Sequence, residues 1–177
     1  MNLLLFFLSF AWAETLAGVS MPDTTKVGDT TLLLNGMGLR EKFWIDIYVA
    51  GLYLPSKMSN DMEILHLNQP KQITLEFIYS EVTKEQMIEV LEENIANNPN
   101  FSQETIAQIR QCGSWMTNFH KGDTATFEYD PTKGTAVHIN NQVKGTIPGP
   151  DFMKAIFAMY IGPHPATADL KQGLLGK

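Results

Sequence analysis

The chain of 177 residues has one cysteine, no cluster of basic residues and no apolar run long enough to span a membrane. The single cysteine, Cys112, excludes an intramolecular disulfide and any zinc or redox site built on paired cysteines. Acidic residues outnumber basic ones 19 to 13, and no two Lys or Arg residues are adjacent. A nucleic-acid-binding surface is therefore not expected. Hydrophobic residues make up 44% of the chain, which is typical of one folded domain.

Common catalytic and metal-binding motifs are also missing. Residues 36–38 (GMG) resemble the start of a dinucleotide-binding loop, but Glu41 stands where the third glycine belongs and no helix is predicted to follow. The spacing of the four histidines indicates no metal site. These histidines are His66, His120, His138 and His164. We therefore expect no metal and no cofactor, and Cys112 is expected to be a small buried side chain.

The N-terminus carries the longest uncharged apolar stretch. Residues 3–12 contain no charge, but a helix needs about twenty residues to cross a bilayer. The stretch ends in Ala11-Trp12-Ala13, a pattern typical of a signal-peptide cleavage site. We predict a signal peptide over residues 1–13, cleavage between Ala13 and Glu14, a periplasmic or secreted protein, and no stable membrane span. The alternative is a buried N-terminal strand or helix.

Residue patterning in the rest of the chain predicts an α+β fold. Thr83 and Gln86 fit a capping box, which begins a helix that ends before Pro99, and Asp151 is predicted to cap the last long helix. A loose arm or edge strand is expected over residues 14–29. Strands are predicted at 30–34, 43–54, 72–79, 124–129, 135–139 and 143–147. Further helices are predicted at 102–116, 152–161 and 168–175. The glycines of 36–38 are expected to interrupt the first strand, and 56–66 to form a short helix or loop. Since consecutive strands are joined by short turns, the sheet should be largely antiparallel.

Two polar residues stand out among apolar ones. Arg40 lies beside the glycines, and Tyr48 lies inside the long predicted strand. Along one straight strand they would be about 26 Å apart at ~3.3 Å per residue. They can share a site only if the chain turns near residues 41–42, or if the arginine side chain folds back over the sheet. The alternative is an ordinary surface ion pair of Arg40 with Glu41 or Asp46.

The helix that begins at Thr83 carries a mixed stripe. Met87, Leu91 and Asn94 follow the i, i+4, i+7 spacing and share one face. Asn94 in that stripe is either a pocket group or a core amide bonded to the backbone. Met87, together with Met159 on the last long helix, suits either a plain core or a pocket for a flexible apolar ligand.

Two groups of residues, in this order, resemble the chalcone isomerase-like family and its exported bacterial branch. The first group is 34–40 (LNGMGLR) followed by 43–54. The second is 145–149 (GTIPG), 151–152, 160–162 and 170–176. The similarity covers residues 30–176 and defines a domain over 30–177. The resemblance implies an open-faced β-sandwich, in which a layer of helices covers one face of a large antiparallel sheet and a ligand cleft lies between the layers.

The resemblance also implies a set of cleft residues. Plant chalcone isomerases close a flavanone ring in a cleft with an arginine, a threonine, a tyrosine, an asparagine and a serine or threonine. Arg40 and Asn94 match the arginine and the asparagine, whereas Tyr48, Met87 and Met159 replace the threonine, the tyrosine and the last hydroxyl. The loss of polar groups argues against chalcone isomerisation, which needs side chains that hold and deliver a proton.

The family has a fatty-acid-binding branch in which an arginine and a tyrosine clasp the carboxylate, and Arg40 and Tyr48 resemble that pair. The resemblance thus implies a non-catalytic exported protein that binds a fatty acid or a similar apolar carboxylate through Arg40, Tyr48, Asn94, Met87 and Met159. An isomerase or intramolecular lyase acting on another substrate is one alternative. A structural or partner-binding module with a closed cleft is the other. The oligomeric state is left open.

Overall fold

The computed structural model describes residues 13–177. The predicted signal peptide lies outside the described residues, except for Ala13, the first residue of β1. The strands are β1 (Ala13–Leu16), β2 (Val19–Pro22), β3 (Thr24–Val27), β4 (Thr30–Lys42), β5 (Ile45–Leu54), β6 (Lys71–Phe77), β7 (Glu81–Val82), β8 (Phe119–His120), β9 (Thr124–Asp130), β10 (Gly134–Ile139) and β11 (Gln142–Ile147). The helices are α1 (Asp61–His66), α2 (Lys84–Asn97), α3 (Gln103–Trp115), α4 (Pro150–Ile161) and α5 (Ala168–Leu174).

The centre of the fold is a seven-stranded sheet with the strand order β11-β10-β9-β6-β5-β4-β3. Every neighbouring pair in this sheet is antiparallel. Alternate residues of the central strands point to opposite faces. On β5, Ala50 and Leu52 belong to the core shared with the helices, whereas Val49 and Tyr53 belong to a second core that includes Val19 of the β1–β2 hairpin. The predicted α+β open-faced sandwich is confirmed.

The most extensively buried helix of the layer is α4. Eight of its residues are buried, among them Phe152, Ile156 and Phe157 at 0% exposure, as an apolar stretch at this position predicts. The helix begins at Pro150 after Gly149 and has no side-chain cap. The prediction that Asp151 caps α4 is therefore wrong, and its carboxylate lies in the first turn, where the helix dipole favours negative charge.

Local signals place α2 and α3 correctly. The hydroxyl of Thr83 accepts a hydrogen bond from the backbone N–H of Gln86, and the Gln86 side chain accepts one from the backbone N–H of Thr83. This capping box was predicted and is confirmed. Cys112 on α3 is fully buried, and burial raises the pKa of its thiol to about 12. No helix within residues 13–177 is both long and apolar enough to cross a bilayer.

The β4–β5 hairpin differs from the sequence-based prediction in two respects. Residues 36–38 do not interrupt β4, which runs unbroken from Thr30 to Lys42. Side chains at Gly36 and Gly38 would overlap the backbone oxygens of Gly173 and Leu170 on α5. These glycines therefore allow a helix to pack closely on the strand, and they do not mark its end.

The second correction concerns the start of the next strand. Phe43 and Trp44, predicted to begin it, form the two-residue turn of the hairpin, and β5 begins at Ile45. Both turn residues have left-handed backbone conformations, with φ of 52° and 61°. Such a turn is usually built from Asn and Gly, so its position could not be read from its residue types.

Candidate functional site

A cavity of about 290 Å³ lies between the sheet and the helix layer. Its volume is at the lower end of the range of small-molecule pockets. Leu75, Phe77 and Phe127 line it from the sheet, and Leu91 lines it from α2. All four are apolar and buried, so this part of the cavity is suited to hydrocarbon. The five residues predicted to form the site, Arg40, Tyr48, Met87, Asn94 and Met159, all line the cavity as well.

Arg40 and Tyr48 are direct cross-strand partners on β4 and β5. The chain turns at Phe43 and Trp44 and brings the two residues together. Arg40 and Tyr48 can therefore share a site, as the sequence allowed only if the chain turned between them. The pairing has a register shift between Arg40 and Glu41, the mark of a bulge that re-aims side chains.

The guanidinium of Arg40 is half-buried and has no acidic partner. Its Nη1 donates to the backbone oxygens of Ala166 at 2.7 Å and of Glu41 at 3.1 Å. Within residues 13–177 no carboxylate lies within 4.0 Å of it. The alternative of a surface ion pair with Glu41 or Asp46 is therefore wrong. The donors on Nη2 and Nε have no partner among these residues, so the outer edge of the guanidinium can still receive an anion.

Two tyrosines bring their hydroxyls to the same region. Tyr48 packs edge-on against Phe77 with ring centroids 5.7 Å apart. Burial raises the pKa of Tyr48 far above the ordinary value, although the positive charge of Arg40 opposes this. Burial raises the pKa of Tyr160 as well, with smaller contributions from Tyr48 and Cys112. Both phenols therefore remain protonated at neutral pH and can donate a hydrogen bond, but neither can serve as an anionic base.

Neither hydroxyl forms a hydrogen bond with another group in the part of the chain from residue 13 onward. Tyr160 was not among the predicted site residues, although it lies in the stretch that carries the family resemblance. The last hydroxyl position of the family had been matched to Met159, one residue earlier. Tyr160 could have been found from its residue type, because it places a hydroxyl among the buried apolar residues of α4.

Asn94 is already engaged with the protein. Its Nδ2 donates to the backbone oxygen of Ala155 at 3.3 Å, and its Oδ1 accepts from Asn98 at 3.1 Å. Of the two alternatives, the core amide bonded to the backbone therefore describes Asn94, even though it lines the cavity. Met87 is half-buried on α2, and Met159 is buried on α4. They flank the cavity from both helices and add flexible apolar surface.

The mouth of the cavity is polar and mixed in charge. Exposed lining residues include Lys42 on β4, Glu89 and Glu93 on α2, and His164 after α4. Among the residues that the structure describes, no group of three His, Cys, Asp or Glu side chains is arranged to hold a metal ion. The arrangement is thus an apolar cavity with one unpaired arginine, two neutral phenols and a polar rim.

A large antiparallel sheet, helices on one face and a cavity between the two layers define an open-faced β-sandwich. The model of the chalcone isomerase-like family matches residues 13–176, and the chain belongs to this family. The family prediction is therefore confirmed. No curated protein matches the sequence.

A solved structure with the same fold is that of the fatty-acid-binding protein AtFAP1 of Arabidopsis thaliana. It superposes with a TM-score of 0.75 at 17% sequence identity, over 93% of this chain and 96% of that chain. At this identity the similarity concerns the fold.

Proposed function

We propose that this protein is a binding protein for a fatty acid or a similar apolar carboxylate, held in the cavity between sheet and helices. The observation that carries the proposal is the half-buried guanidinium of Arg40, which lines an apolar cavity without a carboxylate partner in residues 13–177. A buried or half-buried cation is costly unless it is paired. A ligand carboxylate would supply the missing charge. The fatty-acid-binding function in the name of AtFAP1 agrees with this proposal.

The neighbouring groups fit a carboxylate head. The free edge of Arg40 can form a charge-assisted pair with it, and the neutral hydroxyl of Tyr48, opposite Arg40 in the sheet, can donate a further hydrogen bond. A tail of fifteen methylene groups offers roughly 12 kcal/mol at ~0.8 kcal/mol each. Association and tail ordering remove several kcal/mol, so an affinity on the order of micromolar remains. The head group then selects the ligand class, and the tail supplies most of the affinity.

The proposal is tested with fatty acids and fatty alcohols of equal length. Arg40→Met should weaken the binding of acids by about ten-fold or more, the scale of a charge-assisted hydrogen bond, and should change the binding of alcohols little. Lys26→Met is the matched control, since Lys26 is an exposed cation on β3 that does not line the cavity. If acids and alcohols lost affinity equally, Arg40 would act only by holding the segment around Ala166 through its hydrogen bond to the Ala166 backbone oxygen.

A first experiment needs no choice of ligand. Native mass spectrometry of the protein purified from its exporting host, followed by denaturing extraction, should recover an apolar acid that is absent from the Arg40→Met variant. Ligand-free protein that shows no thermal shift with a series of acids of increasing length would contradict the proposal.

Export remains part of the proposal. The uncharged stretch at 3–12 and the Ala11-Trp12-Ala13 pattern support it. The intact mass of protein recovered from outside the cytoplasm should correspond to a chain that begins at Glu14. An uncleaved chain in the cytoplasmic fraction would contradict it.

An isomerase or intramolecular lyase is the second candidate. The hydroxyl of Tyr160 favours it, because Tyr48 and Tyr160 give the cavity that Arg40 lines two neutral proton donors. Conversion of an enone substrate that is lost in Tyr160→Phe would support catalysis. The third alternative, a module with a closed cleft, is disfavoured by the open cavity.

A further inference from the structure

The tip of the β4–β5 hairpin exposes large apolar side chains. Phe43 is 79% exposed, Trp44 is 90% exposed and Ile45 is 43% exposed. The only nearby charge contact found for these rings within residues 13–177 is Lys42 Nζ, 6.0 Å from the centroid of the Phe43 ring. Three consecutive exposed apolar residues at a loop tip are unusual, because scattered single residues are the rule on a soluble surface.

Folding does not explain these residues. Both aromatic residues hold left-handed backbone conformations, which bulky residues rarely adopt and which Asn and Gly adopt readily. The pair therefore makes the turn less stable than an Asn-Gly pair would, and it contributes nothing to either core. A residue pair that is unfavourable for the local fold and absent from the core points to contact with something outside the chain.

The hairpin tip lies next to the cavity. Lys42 and Ile47, which flank the turn, both line the cavity. Tyr79 and Val90 are two further exposed apolar residues, and both belong to the cavity lining. Exposed apolar side chains therefore lie both at the tip of the hairpin and at the mouth of the cavity.

We propose that Phe43 and Trp44 insert into the interfacial region of a lipid bilayer and hold the cavity mouth against it, so that an apolar acid passes between bilayer and cavity. The transfer step rests on the proposed function, whereas the docking does not. Tryptophan and phenylalanine favour the level of the lipid head groups. A two-residue tip is enough for such an anchor, but it is too small for a stable protein interface, which buries about 1,000 Å² or more.

The charges around the tip indicate how the bilayer is recognised. Arg40 and Lys42 are balanced by Glu41 and Asp46 on the same hairpin, and the whole chain has a net charge of -6. Attraction to anionic lipid therefore cannot drive the docking, and the apolar side chains must. Vesicles of phosphatidylcholine should bind the protein at least as well as vesicles in which about a third of the lipid is phosphatidylglycerol.

The test replaces the tip with a turn that suits the backbone. Phe43→Asn combined with Trp44→Gly keeps the two-residue geometry and should raise the thermal stability. Partition into phosphatidylcholine vesicles, measured by flotation, should fall by about ten-fold or more. Val143→Thr is the matched control, since Val143 is 60% exposed on β11, and it should leave the partition unchanged. The tryptophan fluorescence of the native protein should shift to shorter wavelength on vesicle binding and be quenched by brominated lipid, and both changes should be absent in the variant, which keeps Trp115 but lacks Trp44.

The outcomes separate docking from ligand binding. Both proteins are purified from the exporting host with their N-termini verified by mass, and binding of a soluble medium-chain acid is measured without vesicles. Equal acid binding with lost partition supports both proposals. Lost partition with no acid binding by either protein supports docking and removes the proposed function. If the native protein does not bind vesicles, or if both proteins partition equally, the docking proposal is wrong. If the native protein is a dimer and the variant is a monomer, the tip binds a second copy of the chain and not a bilayer.

Discussion

Replacing Lys71 with methionine should stabilise the protein at neutral pH. Lys71 is completely buried at the start of β6, and its Nζ donates to the backbone oxygen of Ile64 at 2.6 Å. The rings of Tyr129 and Phe157 lie 5.8 and 5.7 Å from the Nζ. No carboxylate pairs with it in the portion covering residues 13–177. Burial, with a smaller effect from Lys154, lowers the pKa of Lys71 to about 7.

The sign and size of the effect follow from this pKa. In the unfolded chain the ammonium keeps its ordinary pKa of 10.5. Between the two values the unfolded chain binds more protons than the folded one, so the free energy of unfolding rises with pH, by at most ~1.4 kcal/mol per pH unit. From pH 7.5 to 9.5 Lys71 should contribute roughly 2 kcal/mol of this rise. Below pH 7 both states are protonated, and its contribution is constant.

The assay is urea unfolding of the native protein and of Lys71→Met at pH 7.5 and 9.5. The native protein should gain about 2 kcal/mol more than the variant over this interval, because other groups that titrate are common to both and cancel. The variant should also be the more stable of the two at pH 7.5, since methionine fills the same space without a charge. Lys144→Met is the control and should show a far smaller difference, because Lys144 is exposed on β11.

Two results would refute this reasoning. Equal pH dependence in both proteins would mean that Lys71 keeps an ordinary pKa. A variant less stable than the native protein at both pH values would mean that the ammonium, its bond to Ile64 and the two aromatic rings form a favourable site for a charge. Lys71 would then be a stabilising feature of the core.

Further predictions concern the hairpin and the cavity. Gly38→Ala should destabilise the protein by about 2 kcal/mol or more in urea unfolding, because its side chain would overlap the α5 backbone. Gly113→Ala, where an added Cβ would make an ordinary contact of 3.4 Å, should be neutral or stabilising within a helix, and equal effects would contradict the proposed role of close packing. Tyr48→Phe should weaken acid binding by about ten-fold or more in calorimetry, the scale of a hydrogen bond to a charged group. Tyr160→Phe should weaken it less, and the reverse order would place the carboxylate nearer α4.

Elements with local signals were predictable from the sequence. The start of α2 is determined by Thr83 and Gln86, which cap the helix with their own side chains, and the apolar character of α4 follows from its own residues. The β4–β5 turn was missed because Phe43 and Trp44 are strand-forming types placed in a turn. The glycines were misread because their purpose depends on α5, more than 130 positions later in the chain. Contacts between distant segments leave no local pattern.

The sequence predicted five residues that line the cavity, but it did not determine how they are arranged. Residue types and the resemblance selected Arg40, Tyr48, Met87, Asn94 and Met159, and all five line one cavity. The bond from Arg40 to Ala166 joins residues 126 positions apart, and no sequence pattern connects them. Whether Arg40 was paired with an acid therefore depended on the tertiary structure.

The length of the β4–β5 turn has a consequence for relatives of this protein. Successive residues of a strand point to opposite faces, so one residue more or less in the turn would shift the register and point Arg40 to the face opposite Tyr48, unless the bulge after Arg40 changed at the same time. Leu39, the neighbour of Arg40, packs in the second core on that opposite face. A homologue with an arginine at this position but a turn of different length would carry the residue without the cationic site. Within the family, we therefore expect the cationic site only where the spacing between the arginine and the tyrosine keeps both side chains on one face.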